Sequence, residues 1–200
     1  MNKDPLLTGK PGRIDRVDIP AMAFLSIEGQ GAPGGDAHAT AVSALYTLAY
    51  GARFAGKAQG HDEKVSVLEG LWWADDMAAF TAGDRAQWRW RMMIRAPGWL
   101  DPAALDGLRA AAVAKKAKQA ALVAALGHVT LDRFTEGLCL QALHIGPYAD
   151  EGPLIARMHA EAAVQGLALT GHHHEIYLAD PSRTAPEKLK TLLRQPVRPA

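Results

Sequence analysis

Hydrophobic and polar residues alternate along this chain with two different periods, and each period predicts a different secondary structure. Apolar side chains at every second position are typical of strands, and apolar side chains at every third or fourth position are typical of amphipathic helices. In the first half the pattern predicts a strand interrupted near Pro20, then a helix capped by Asp36, then two strands. The four elements cover residues 16–28, 37–50, 64–73 and 87–95.

The second half repeats the same order of elements. A strand region around Gly137 leads through a turn at Gly146 and Pro147 into a helix, and two strands follow. These elements cover residues 131–145, 150–165, 172–178 and 189–197. One such unit cannot bury its own sheet face, so two copies are expected to pack together. We therefore predict an α/β (α+β) fold in which two β-α-β-β modules, related by a pseudo-twofold axis, form a groove.

An alanine-rich stretch separates the two repeats. Asp101 and Pro102 are typical of a helix start and Gly127 is typical of a helix end, so we predict one connecting helix. The first residues contain several prolines and glycines, which indicates an irregular arm. The predicted organisation is an arm at residues 1–15, followed by one domain made of module one, the connecting helix and module two, at residues 16–100, 101–127 and 128–200.

Two glutamates stand inside aromatic-rich predicted strands. Glu69 shares a strand face with Leu71 and Trp73, and Glu175 shares one with His173 and Tyr177. Burying an ionised carboxylate costs several kcal/mol unless it is paired or takes up a proton, which is how proteins poise acids for proton transfer. Pseudo-symmetry would bring both glutamates toward one groove. The alternative interpretation is that both face water at sheet edges.

Composition excludes several classes of partner. The chain has 22 basic and 21 acidic residues and a net charge of +1. The sequence therefore lacks the basic stripe that is typical of nucleic-acid binding. A run of about 18 uncharged apolar residues, which a membrane span needs, is not found in the sequence. The single cysteine, Cys139, has apolar neighbours and matches a reducing compartment. We expect a cytoplasmic protein with no nucleic-acid or membrane partner, and the sequence leaves its oligomeric state open.

Aromatic residues concentrate in the strands that would line the groove. Trp72, Trp73, Trp90 and Tyr177 are expected to form a flat apolar slot for a planar aromatic or cationic small molecule, although core packing explains some of them equally well. Tyr148 follows a Gly-Pro turn, where its hydroxyl either points into the groove or only supports packing.

The three consecutive histidines at residues 172–174 suggest a metal site only at first sight. Neighbouring side chains of a strand point to opposite faces, so three ligands cannot converge from this run, and no metal or other cofactor is expected. A hydrogen bond from His173 or His174 that orients a neighbour is the preferred interpretation.

Several motifs together resemble one known family. They are Pro20-Ala21-Met22-Ala23-Phe24-Leu25-Ser26-Ile27-Glu28-Gly29, Leu68-Glu69-Gly70-Leu71-Trp72-Trp73, His144-Ile145-Gly146-Pro147-Tyr148 and His173-His174-Glu175-Ile176-Tyr177-Leu178, with the tyrosines of the first helix and Glu136-Gly137 with Gln141. The chain resembles the GyrI-like small-molecule-binding family over residues 16–198. The resemblance implies the fold of the effector-binding domains of multidrug-sensing regulators.

The resemblance also implies candidate functions. The family includes drug-binding domains, gyrase inhibitors and stand-alone proteins that hydrolyse the cyclopropane of planar DNA-alkylating natural products, and we expect this chain to belong with the stand-alone proteins. Glu175 or Glu69 would then activate a water for attack on the ring, and Tyr148 or Tyr177 would donate a hydrogen bond to the developing negative charge. The alternative is a non-catalytic protein that sequesters drugs or docks on a protein such as gyrase.

Overall fold

The computed structural model describes residues 4–75 and 84–200. The described residues contain nine strands, four helices and four short 3-10 turns. In chain order the elements are β1 (Ile14–Ile19), β2 (Met22–Gln30), α1 (Asp36–Ala58), β3 (Leu68–Trp73), β4 (Arg89–Arg95), α2 (Pro102–Lys115), α3 (Ala120–His128), β5 (Thr130–Phe134), β6 (Gly137–Ile145), α4 (Gly152–Val164), β7 (Leu167–Leu169), β8 (His173–Tyr177) and β9 (Lys190–Pro199).

The chain divides into two compact units. Unit one contains the residues up to Ala21, Leu68–Leu71 and Thr135–Ala200, and unit two contains Met22–Val67 and Trp72–Phe134. In unit two, β2 pairs antiparallel with β4 on one side and with β5 on the other. Helix α1 packs on β2 and β4, and α2 and α3 pack on α1.

Unit one is built on a sheet in the order β1, β6, β9, β8 and β3, with the short β7 also paired to β9. The pairs β1 with β6, β6 with β9 and β8 with β9 are all antiparallel. Helix α4 covers one face of this sheet and packs on Leu140, Ala142 and Leu193. The N-terminal arm lies against the other face, where Gly9 contacts Leu143 and Leu192.

The predicted α/β class and the repeated order of strand, helix, strand, strand are confirmed. Within each unit the first strand of the repeat pairs with the last one, β2 with β4 and β6 with β9, so the two repeats share their connectivity. Apolar periodicity predicted these elements because each buries one side against its own unit. The module boundaries at residues 100 and 128 stay a prediction, and residues 1–3 of the predicted arm lie outside the described residues.

Three details of the prediction are wrong. Gly35 rather than Asp36 is the N-cap of α1, and Asp36 begins the helix. The predicted connecting helix is two helices, because the chain leaves the helical path between Lys115 and Ala120 and α3 then packs separately on α1. Strand β7 was not predicted, since a three-residue strand carries no periodic signal. The Asp101 cap is confirmed, because its side chain accepts from the amide of Ala104 at 2.7 Å.

Replacing Gly29 by alanine is expected to destabilise unit two. Gly29 lies in β2 directly against the indole ring of Trp90, and an added Cβ would overlap with that ring. Overpacking of this kind costs about 1–3 kcal/mol. Urea unfolding followed by circular dichroism should therefore show a lower free energy of unfolding for Gly29→Ala. The control is Gly107→Ala in α2, where nothing lies within 4 Å of the added Cβ and alanine favours the helix. Equal stability of the two variants would contradict the close packing of Gly29 against Trp90.

Candidate functional site

Strand β8 divides the buried polar residues of unit one between two faces of the sheet. Alternation along the strand places His174 on one face and His173, Glu175 and Tyr177 on the other. The register with β9 pairs His174 with Arg194, and Glu175 with a leucine under α4. The two faces therefore hold separate sets of charged groups.

On the first face, four charged side chains form a continuous buried network. His174 contacts Glu136 through Nδ1 at 2.8 Å and Glu69 through Nε2 at 3.1 Å. Arg194 donates from Nη1 to Glu136 at 2.9 Å and from Nε to the amide oxygen of Gln141 at 2.8 Å. The side chains of Glu69, His174 and Arg194 are completely buried.

The network balances two acids with two bases. Burial alone would raise the pKa of Glu136, but His174 and Arg194 outweigh it and hold that pKa at about 2. Burial alone would lower the pKa of His174, but the carboxylates of Glu136 and Glu69 reverse the effect and raise it. With His174 protonated, the four charges sum to zero, as buried ionic groups require.

The N-terminal arm closes this network from outside. Arg194 donates from Nη2 to the carbonyl of Leu6 at 2.8 Å, and Gln141 donates to the carbonyl of Thr8 at 2.9 Å. Because its polar groups are paired and covered, this face has the character of a structural centre rather than a ligand site.

On the opposite face, Glu175 is hydrogen-bonded to an aromatic hydroxyl. Its Oε2 accepts a hydrogen bond from the hydroxyl of Tyr177 at 2.8 Å, and its Oε1 lies 3.7 Å from Nε2 of His173. The ring of Tyr148 meets the ring of Tyr177 edge to face, with 5.6 Å between centroids. Glu175 keeps 16% of its side chain exposed, so solvent reaches the carboxylate.

Glu151 is the second acid on this face. It stands at the N-cap of α4 with only 3% of its surface exposed, and its side chain accepts no capping hydrogen bond from the helix amides. Burial, and then the charge of Glu175, raise the pKa of Glu151 to about 9. Burial likewise raises the pKa of Glu175 to about 7, against the opposing hydrogen bond from Tyr177 and the charge of His174. Within the described part of the chain, neither carboxylate forms an ion pair with arginine or lysine.

Two neighbours of Glu151 and Glu175, which together form the acid pair of this face, stay neutral. Burial lowers the pKa of His173 to about 3, so its imidazole carries no charge at neutral pH. Burial, helped by the nearby carboxylates, raises the pKa of Tyr148, so its hydroxyl keeps its proton. This face thus combines an acid that ionises near neutral pH with uncharged hydrogen-bonding groups, which is the composition of a general acid–base site.

The predicted site residues divide between these locations. Glu175, Tyr148, Tyr177 and His173 lie on the same face of unit one. The expectation that Glu69 shares a groove with Glu175 is wrong, because Glu69 contacts His174 and therefore lies on the opposite face. Alternation along β8 decides this, and it could not be read from β3 alone.

Sequence reasoning also missed Glu151 as a site residue. The only available signal is its position directly before Gly152 and Pro153, where a helix starts and an acid is common, so burial of this acid could not be inferred. Glu136 and Arg194 were missed as partners of His174 because the three are distant in sequence.

The predicted ligand-binding tryptophans belong to unit two. Trp72 is 4% exposed and stacks on His38 at 5.9 Å, and Trp90 is 2% exposed with its ring edge to face with His38 at 5.4 Å. Trp73 is half-buried at the end of β3. The ligand-binding role of these residues stays a prediction.

Two other kinds of site were sought among the described residues. Across residues 4–75 and 84–200, no three or more His, Cys, Asp or Glu side chains are grouped so that they could hold a metal ion. None of the helices described in these ranges has the length and apolar character needed to cross a bilayer.

Comparison with known protein families shows which family the chain belongs to. The GyrI-like small molecule binding domain model matches residues 13–198. The chain belongs to this family. No curated protein matches the sequence.

Solved structures of similar proteins share the fold of this chain. An uncharacterized conserved protein from Listeria innocua is 35% identical, with a TM-score of 0.86, and the match covers 94% of this GyrI-like chain and 93% of that one. A protein from Listeria innocua described as a hydrolase is 33% identical, with a TM-score of 0.82 and coverage of 96% and 95%. The EcmrR C-terminal domain, at 9% identity and a TM-score of 0.57 with coverage of 94% and 98%, shares the fold.

Replacing Glu136 by glutamine is expected to destabilise the protein strongly. The change leaves Arg194 and the protonated His174 buried with one carboxylate fewer, and breaking a buried ion pair costs about 3–5 kcal/mol. The control is Glu28→Gln, which removes an exposed salt bridge to Arg91 worth at most about 1 kcal/mol. Urea unfolding of both variants measures the difference, and a loss at Glu136 as small as that at Glu28 would contradict the buried network.

Proposed function

We propose that this GyrI-like protein is a hydrolase that opens electrophilic cyclopropanes of planar DNA-alkylating compounds with a glutamate-activated water. The observation that carries the proposal is Glu175, a mostly buried carboxylate with a pKa of about 7, a tyrosine hydroxyl on one oxygen and no arginine or lysine partner among the described residues. A carboxylate in that state accepts a proton at neutral pH. The family assignment and similar proteins described as hydrolases support the reaction class.

The proposed reaction begins with water beside Glu175. Glu175 takes a proton from the water as the water oxygen bonds to a ring carbon, and the strained carbon–carbon bond breaks with its electron pair moving into the conjugated ring system. Positioned proton transfer of this kind contributes roughly 10² to 10⁴ in rate. Tyr148, which remains protonated, donates a hydrogen bond where negative charge develops. Tyr177 holds Glu175 in place, because its hydroxyl donates to that carboxylate.

The ligand side of the proposal rests on aromatic surface. Within unit one, the edge-to-face pair of Tyr148 and Tyr177 offers an aromatic surface beside Glu175, and aromatic side chains favour flat apolar compounds. A cytoplasmic location is part of the proposal and rests on the single buried thiol of Cys139.

A second candidate function is capture of cationic aromatic compounds without turnover. It is favoured by the acid pair itself, because a ligand cation would supply the charge that no described arginine or lysine supplies to Glu151 and Glu175. In this case the protein sequesters drugs or, like gyrase inhibitors, binds a protein target.

Replacing Glu175 by glutamine separates the two functions. Glutamine keeps the shape and hydrogen bonding but cannot accept the proton, so hydrolysis of a cyclopropane-bearing alkylator should fall at least about 10²-fold. Binding of the neutral compound, measured by isothermal titration calorimetry, should persist. The control is Glu187→Gln, an exposed acid in the turn before β9.

Under the capture hypothesis the same variant should instead weaken cationic ligands by roughly 1–3 kcal/mol and leave neutral ligands unchanged. Unaltered turnover by Glu175→Gln would contradict the proposed base.

A further inference from the structure

Glu151 stands where an ionised carboxylate would normally be favoured. It is the residue directly before α4, and the positive end of a helix stabilises negative charge. Its Oε1 atom is nevertheless buried and has no hydrogen-bond partner among the described residues. The one hydrogen bond that favours the ionised form, from Thr191, is outweighed by burial, whose cost a protonated carboxyl does not bear.

Among the described residues, no compensating cation lies in the surroundings of Glu151. The groups around the pair are Glu175, Tyr177 and His173 in β8, Thr191 opposite Tyr177 in β9, Tyr148 in the preceding turn, His159 in α4 and Asp180 after β8. The two histidines have lowered pKa values because of burial, and the other ionisable groups are acids or tyrosines. On the far face, His174 faces Glu136 and Glu69 and its charge is balanced there.

The geometry also links Glu151 to the proposed base. The backbone amide of Glu151 donates to the carbonyl of Tyr148 at 3.3 Å, and the Tyr148 ring meets the ring of Tyr177. The hydroxyl of Tyr177 in turn donates to Glu175. Glu151 and Glu175 therefore lie in one cluster on one face, with Glu151 less exposed than Glu175.

We propose that Glu151 is a neutral carboxylic acid at working pH and acts as the proton donor of the pair, while Glu175 is the proton acceptor. The inference rests on the proposed hydrolase function. Glu175 takes one proton from water as the oxygen–carbon bond forms. The electron pair of the broken carbon–carbon bond reaches the acceptor oxygen of the conjugated ring, which takes the proton of Glu151. Transfer of the proton from Glu175 to Glu151 restores the starting state, so one water is added per turnover.

The first test needs no substrate. Full-length protein with ¹³C-labelled glutamate side chains is titrated by NMR as wild type, Glu151→Gln, Glu175→Gln and the control Glu161→Gln, an acid farther along α4. Near pH 8, between midpoints of about 7 and about 9, one carboxyl should be protonated in wild type. That signal should vanish in Glu151→Gln and persist in Glu161→Gln. In Glu175→Gln the midpoint of Glu151 should fall, because its charged neighbour is gone.

The midpoint of Glu175 gives the sharpest readout. Glutamine mimics a protonated Glu151, so Glu175 in Glu151→Gln should titrate as it does in wild type. An ionised Glu151 would instead raise the midpoint of Glu175 in wild type, so the Glu151→Gln change would lower that midpoint. A lowered midpoint, or a glutamate spectrum near pH 8 with every carboxyl ionised, would overturn the proposal.

The second test uses turnover of a cyclopropane-bearing alkylator. Glu151→Gln should reduce kcat roughly 10²-fold and remove the loss of activity at alkaline pH, since no donor is left to deprotonate. If the activity of Glu151→Gln still falls at alkaline pH as it does in wild type, the donor role of Glu151 is contradicted. Absence of turnover in wild type would reject the hydrolase function and with it the donor role, while the NMR titration would still decide whether Glu151 is neutral.

Discussion

The cost of burying carboxylates in the sheet of unit one governs the site. Strand β8 meets this cost in two ways on its two faces. On one face, Glu69 and Glu136 are balanced by His174 and Arg194 through contacts of 2.8 to 3.1 Å. On the other face no described arginine or lysine pairs with the acids, so protons replace the missing cations. Neighbouring residues of one strand thus have opposite electrostatic environments.

This division explains how a rigid support and a reactive group can share a strand. The balanced network anchors β8 to β9 and to the N-terminal arm through Arg194 and Gln141. Glu175 follows His174 directly, so the position of its backbone is set by the anchored neighbour. A catalytic carboxylate needs such support because small displacements of a base reduce the rate steeply.

Much of the fold followed from periodicity, because strands and helices that bury one side repeat their apolar residues with a fixed period. The site followed only in part. Aromatic neighbours in sequence pointed to Glu175, Tyr177 and His173, which share a strand. Glu151 and Glu136 could not be found in this way, since their burial depends on contacts between distant segments. The face of Glu69 was predicted wrongly because its strand is buried on both sides, so the sequence carries no alternation there.

The central claim is that Glu175 is the base because burial without a cation brings its ionisation close to neutral pH. The most direct test is the pH dependence of kcat/KM for wild-type hydrolysis of a cyclopropane-bearing alkylator. The account predicts that kcat/KM falls as the pH drops through about 7, because protonated Glu175 cannot accept a proton from water. A value of kcat/KM that stays constant down to about pH 5, near the ionisation of an ordinary glutamate, would contradict it.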